Sequence, residues 1–224
     1  MVWNPRAPVA AAILAGGRAR RMGGTRKWAL VVDGARIIDR QLAALAGLAD
    51  PVLIVAPDPA PFAGLPARVV ADRVAGAGAL GGIYTAVAES PHDRVLVLAC
   101  DLPFVSRAWL QRLVDASTEG IDAVVPRTAR GREPLCAVYA KGCEAPIAAQ
   151  LRRGDLRAAH LPDGLRVREL GPETLAEYDP DGLLFVNVNT PHDYARARAR
   201  IQLKSEPPTD RITEDDSPDS PARP

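Results

Sequence analysis

The chain has 224 residues, a formal net charge of +1, 47% hydrophobic and 25% charged residues. That size and mixture fit one soluble globular domain with its own core. The near-neutral charge and 4% aromatic content exclude the basic stripe and stacking platforms of a nucleic-acid binder. No apolar run approaches the roughly 20 residues of a membrane span, and the N-terminus lacks a signal-peptide pattern. Three cysteines, Cys100, Cys136 and Cys143, exclude a full disulfide framework and lack zinc-site spacing. They read as buried apolar residues in a reducing, cytoplasmic protein.

In chain order, Val9–Leu14, Val52–Ala56, Val69–Ala71 and Val95–Ala99 are short continuous apolar runs, the pattern of buried, mostly parallel strands. Between them, Ile37, Ile38, Leu42, Leu45 and Leu48 form one apolar helical face. Ile83–Glu89 suggests a shorter helix. Ser106 is an N-cap for a third, with Leu110, Leu113 and Val114 on its inner side. From Ile121 the rhythm changes. Ile121–Val125 and Leu135–Tyr139 read as strands joined by a polar loop, Arg127–Glu133, with a helix around Ala145–Arg153. Leu183–Val188 reads as another strand, and Pro191 opens a last helix, His192–Leu203. The expected fold is a single α/β, Rossmann-like three-layer domain. Its central sheet is mostly parallel, with antiparallel strands and a lid added by the second half. The domain spans 1–203. The tail 204–224 has five prolines and six acids against three bases, and is expected to be disordered. Removing it leaves the body at +4, a bias suited to a phosphorylated small molecule.

Three expected strand ends carry chemistry-bearing residues, where an open α/β sheet binds ligands. The first is the loop Leu14-Ala15-Gly16-Gly17 through Lys27. Its glycines let backbone N–H groups approach an anion, and Arg18, Arg20, Arg21, Arg26 and Lys27 can neutralise a polyphosphate. No Gly-Lys-Ser/Thr closes it as a Walker loop. A basic surface loop would have the same composition. The second is Asp101, a strand-end carboxylate that can bridge Mg²⁺ to phosphates or cap the next turn. The third is Asn187-Val188-Asn189, whose amides share a face on an extended strand and can bond a polar heterocycle or serve a turn. The Gly76–Gly81 run is a literal G-x-G-x-x-G. It falls too late, and too far from its strand, for a dinucleotide fingerprint. His92, His160 and His192 lie in polar surroundings, and no Ser–His–Asp or Cys–His set stands out.

Together these loops carry a resemblance. Leu14-Ala15-Gly16-Gly17, Arg21-Met22-Gly23 and Lys27 resemble the signature of nucleotidyltransferases that activate sugar phosphates, isoprenoid precursors and molybdopterin. The run Leu14–Gly24 with Phe185–Asp193 narrows the resemblance to the molybdenum cofactor guanylyltransferase family, which Cys100–Phe104 and Pro134–Tyr139 also fit, over about residues 9–200. The resemblance implies Mg²⁺-dependent transfer of GMP from GTP to the terminal phosphate of molybdopterin, with pyrophosphate released. It implies backbone contacts to the nucleotide from Leu14, Ala15, Gly16 and Gly17. Arg21 and Lys27 would hold the triphosphate, Asp72 the nucleoside and Asp101 the metal. Lys27, Asp101 and Arg21 would carry catalysis, with Asn187 and Asn189 on the molybdopterin side. Its partners would be GTP, molybdopterin, and proteins of molybdenum insertion and molybdoenzyme assembly.

The chain departs from the family pattern at Arg26, where an acid often precedes the lysine, at Ala79, usually proline, and at Glu133 before Pro134. A cytidylyltransferase acting on the same cofactor remains an alternative. So does transfer to another phosphorylated acceptor, against which Asn187 and Asn189 count. A non-catalytic nucleotide-binding module is a third, against which Asp101 and Lys27 together count.

Overall fold

The structure, a computed structural model, describes residues 8–16, 27–160 and 164–188, with positions 192, 193, 195, 196 and 199 beyond them. The tail 204–224 and the positions of Gly17, Arg21 and Asn189 lie outside the described residues.

The first apolar run becomes an interior strand of the sheet. Ala10–Leu14 (β1) is buried at every position. It pairs in parallel with Val52–Val55 (β4) on one side and Arg94–Ala99 (β6) on the other. Arg68–Val70 (β5) extends the parallel part beyond β4. Cys136–Ala140 (β9) runs antiparallel to β6 and to Ala123–Thr128 (β7), so β7 again points the same way as β1. Val167–Leu170 (β10) closes that side in parallel with β7. The order is β10-β7-β9-β6-β1-β4-β5, and Gly131–Arg132 (β8) pairs only with β7. A separate two-stranded ribbon joins Val31–Val32 (β2) to Ala35–Arg36 (β3).

Alternation along β1 builds two cores. Ala11 and Ile13 face one, with Ile38 and Leu45 of Ile37–Leu45 (α1) and Trp109, Leu110 and Leu113 of Arg107–Ala116 (α3). Ala10, Ala12 and Leu14 face the other, with Leu80, Ile83 and Val87 of Gly78–Glu89 (α2) and Ile147 of Glu144–Arg152 (α4). Helices on both faces make three layers, as expected. The chain winds from β1 outward through β4 and β5, then returns past β1 to β6. This reversal makes the carboxyl ends of β1 and β6 a topological switch point.

Most elements match their expected positions within a few residues, and the Ser106 cap forms, its Oγ accepting from Trp109 N–H at 3.2 Å. Two expectations fail in the second half. Val167–Leu170 is a strand that the pattern hid. As an edge strand it carries charge: Arg168 donates to Ala116 O, and Glu169 accepts from Arg132 at 2.7 Å. Pro172–Tyr178 (α5) follows it, also unforeseen. Conversely, Leu183–Val188 is not a strand. Leu184 and Phe185 enter the first core beside Trp109, whereas Val186 and Val188 pack with Val32 and Ile37. Its backbone is satisfied by turns: Asp179 Oδ1 accepts from Leu183 N–H and Leu184 N–H, and Val186 N–H donates to Leu183 O. An apolar strap crossing between two cores reads like a strand because both are short, mostly apolar runs. The face-sharing of Asn187 and Asn189, argued from a strand, therefore loses its basis. Positions 192, 193, 195, 196 and 199 are helical, within the expected last helix; its other residues are not among those described.

Helix α2 also starts five residues earlier than expected. Gly76 and Gly78 take φ of +79° and +61°, which turns the chain into the helix. The glycine-rich run is a β5–α2 turn and a packing surface, since a Cβ on Gly81 would lie 2.7 Å from Ala77 Cβ and 3.2 Å from Val74 O.

Candidate active site

The site is built where β1, β4, β5 and β6 end together. Ala15 N–H donates to Val55 O at 2.9 Å, and Cys100 N–H donates to Leu14 O at 3.3 Å. These bonds hold the start of the Gly-rich loop between its two neighbours. Leu14 is buried against α2, Ala15 is half-buried and Gly16 is exposed. Backbone at Ala15 and Gly16 is thus presented at the carboxyl edge.

Lys27 enters from a short 3-10 turn, Lys27–Ala29. Trp28 anchors the turn, buried with its ring 4.8 Å from that of Phe62. From this base Lys27 Nζ donates to Asp101 Oδ2 at 3.1 Å across 74 positions of sequence. The pair is only partly desolvated, with side chains 32% and 15% exposed, so both groups remain reachable by a ligand. Asp101 follows β6 directly, and its carbonyl accepts from Val188 N–H at 3.0 Å. The strap thereby sets exposed Asn187 next to the Asp101 turn.

Asp72 follows β5. Its Oδ1 accepts from Thr85 Oγ at 3.0 Å, and the same wholly buried Thr85 accepts from Arg73 N–H. Asp72 Oδ2 lies 3.8 Å from where a Cβ on Gly16 would be. Burial pushes the Asp72 carboxyl up from its ordinary value, and the Thr85 hydroxyl partly offsets this. A carboxylate held against the exposed Gly16 backbone is placed to accept hydrogen bonds from a ligand seated on that loop.

On the β9 side, Glu133 precedes Pro134 at the same edge. Its Oε1 accepts from Thr128 Oγ at 3.1 Å, and Arg130 Nη2, 3.5 Å away, also donates to Phe185 O at 2.9 Å. Burial raises the Glu133 carboxyl, with Thr128 and Arg130 opposing. Thr85, Glu133 and Arg130 were not read as site residues: Thr85 meets Asp72 from 13 positions away and Arg130 meets Phe185 from 55, whereas Glu133 pairs with its near neighbours Thr128 and Arg130. Only the Glu133–Pro134 departure pointed to one of them.

Among the described residues, no group of three His, Cys, Asp or Glu could hold a metal ion. The strand-end carboxylate of Asp101 could serve an ion such as Mg²⁺, which takes one or two carboxylates and completes its octahedron with phosphates and water. It does not suit a zinc site, which needs three or four protein ligands. The three thiols are buried and free, each pushed up to about 12 by burial, so none is a poised nucleophile. No helix among the described residues is long and apolar enough to cross a membrane. A cleft of about 380 Å³ between Arg40, Phe104, Ser106, Tyr178, Asp179 and Leu184 includes none of Lys27, Asp72 and Asp101.

A doubly wound sheet with the start of a glycine loop, a lysine and a strand-end aspartate at its switch point is the arrangement the nucleotidyltransferase resemblance leads one to expect. The MobA-like NTP transferase family model matches residues 11–165, and the chain belongs to that family. It is 35% identical over 190 residues to the molybdenum cofactor guanylyltransferase of Desulfosudis oleivorans, covering 85% of this chain and 94% of that one. Another protein of that name, from Syntrophotalea carbinolica, is 28% identical over 84% and 90%. Among solved structures, the molybdopterin-guanine dinucleotide biosynthesis protein A of Archaeoglobus fulgidus superposes with TM-score 0.73 and 27% identity, over 87% of this chain and 99% of that one. The 2-C-methyl-D-erythritol 4-phosphate cytidylyltransferase of Thermus thermophilus shares the fold, with TM-score 0.61 at 19% identity over 85% of this chain and 98% of that one.

Proposed function

We propose that this enzyme transfers GMP from GTP to the terminal phosphate of molybdopterin and releases pyrophosphate. The observation that carries the reading is the Lys27–Asp101 pair, closed across the β1–β6 switch point at 3.1 Å. The names of the guanylyltransferase relatives supply the direction of the proposal. In the reaction, an oxygen of the acceptor phosphate attacks the α-phosphorus of GTP. The bond from that phosphorus to the bridging oxygen breaks, and the pyrophosphate leaves with the electron pair.

The protein needs no covalent intermediate for such chemistry. It needs alignment and neutralised charge. In this reading the backbone of Leu14, Ala15, Gly16 and Gly17 cradles the nucleotide, and Asp72 accepts from its nucleoside part. Arg21 and Lys27 hold the triphosphate, and the Lys27 ammonium offsets charge on the departing pyrophosphate. Asp101 would hold Mg²⁺, which when bound supplies further charge neutralisation and alignment of phosphate oxygens. Asn187, beside the Asp101 turn, and Asn189 receive the acceptor. With the ammonium and carboxylate already paired, substrate entry exchanges a partly exposed ion pair for contacts to phosphate and metal.

The test is Asp101→Asn. It keeps the shape of the side chain and removes its charge. Turnover of GTP with molybdopterin is expected to fall below detection while GTP still binds in an equilibrium titration. A variant with near-wild-type turnover would overturn the metal role.

A further inference from the structure

Helix α1 carries one polar residue on its core face. Gln41 is wholly buried, and its Nε2 donates to Ala99 O at 2.7 Å and to Leu102 O at 3.1 Å. Those two carbonyls bracket Cys100-Asp101. The Oε1 of the same amide has no hydrogen-bond partner among the described residues. A buried acceptor left unpaired is unfavourable, so leucine or methionine would serve burial alone better at this position. What an amide adds is two bonds that fix the turn carrying Asp101.

The same helix is tied to the segment carrying Lys27. Ile37 N–H, one turn before Gln41, donates to Leu30 O at 2.9 Å, and Leu30 N–H donates to Lys27 O. Arg40, next to Gln41, donates from Nε to Pro103 O at 2.9 Å and from Nη1 to Val32 O at 3.3 Å. One short helix therefore grips both segments whose side chains meet at the site.

We propose that Gln41 is a positioning residue, whose buried amide sets where the Asp101 carboxylate stands relative to Lys27 and to a bound divalent ion. The proposal rests on the reading of Asp101 as the metal-holding carboxylate. A misplacement of about 1 Å at a reacting centre costs about 100-fold in rate, so a loosened turn should be visible in turnover. GTP contacts made by the loop after β1 do not depend on the amide.

The experiment uses the full-length chain with Gln41→Met, which keeps length and burial and removes both bonds. Mn²⁺ binding in the presence of GTP is followed by the electron paramagnetic resonance of the free ion, and steady-state kinetics are measured alongside. Expected for a variant that still melts cooperatively are Mn²⁺ affinity and kcat each down about tenfold or more, with KM for GTP within about threefold. A purely structural role would lower the melting temperature and leave the Mn²⁺ affinity and kcat of the folded enzyme unchanged, and that result overturns the proposal. If Gln41→Met does not melt cooperatively, Gln41→Asn, whose amide is one methylene short of the turn, takes its place. Failure of both to fold assigns Gln41 to structure and also overturns the proposal. A wild type that binds no Mn²⁺ with GTP and does not turn over removes the reading of Asp101 itself. Binding and turnover in the wild type, matched by Gln41→Met, removes only the positioning role.

Discussion

Lys27 and Asp101 meet at 3.1 Å, yet neither explains the other's position: one stands on a tryptophan-anchored turn, the other at the end of a buried strand. In the proposed reading the lysine serves a phosphate rather than the fold. Lys27→Ala removes one charge-assisted hydrogen bond of about 1.5–3 kcal/mol, so the dissociation constant for GTP is expected to rise about 10–150-fold, read by equilibrium titration. An unchanged constant would contradict the triphosphate role. Asp72 gives a prediction with a sign. Burial raises its carboxyl, so between the ordinary and the folded value the folded protein keeps a proton that the unfolded chain has released. Stability therefore declines as pH rises through that window, and remains lowered at neutral pH. Asp72→Asn, whose Oδ1 can still accept from Thr85, should melt at or above the wild-type temperature at pH 7. The difference should close below about pH 4, and GTP binding should weaken. A lower melting temperature for the variant at pH 7 would show that burial is not the dominant influence on this carboxyl.

Helix α3 illustrates how much an element owes to one residue. Ser106 caps it, and Ser106→Ala is expected to cost about 1 kcal/mol. At this chain length that is a fall of about 2–4 °C in melting temperature, read by calorimetry, with kinetics unchanged. The same cap was legible in the sequence, as were β1, β4, β6 and both flanking helices, because each is written in a run of adjacent residues. Lys27 and Asp101 were legible for the same reason: a glycine loop and a strand-end carboxylate are local patterns. Gln41 was not. The apolar periodicity of α1 passes over position 41, and the carbonyls that bury it lie 58 and 61 positions away. Val167–Leu170 was hidden by the charges an edge strand carries on its exposed side, and Leu183–Val188 misled because strap and buried strand share a short, mostly apolar run.

Across the whole molecule, the division of labour follows the winding of the sheet. The parallel half, β6-β1-β4-β5, delivers the glycine loop, Asp72 and Asp101 to one edge. The antiparallel insertion of β9 then brings Glu133 to that same edge from the other side, and the strap returns to close on Asp101. In the proposed reaction a nucleoside triphosphate takes the first half of this edge and a second phosphorylated reactant the other, so that the two meet at one phosphorus. The most direct measurement is pyrophosphate release with Mg²⁺ and metal-loaded molybdopterin, offering GTP, CTP, ATP and UTP one at a time. Release is expected with GTP, none without the acceptor, and little with the other three. Preference for CTP would contradict the proposed guanine specificity while leaving the transfer chemistry in place. No release with any nucleotide, from acceptor that a control enzyme consumes, would contradict molybdopterin as the acceptor.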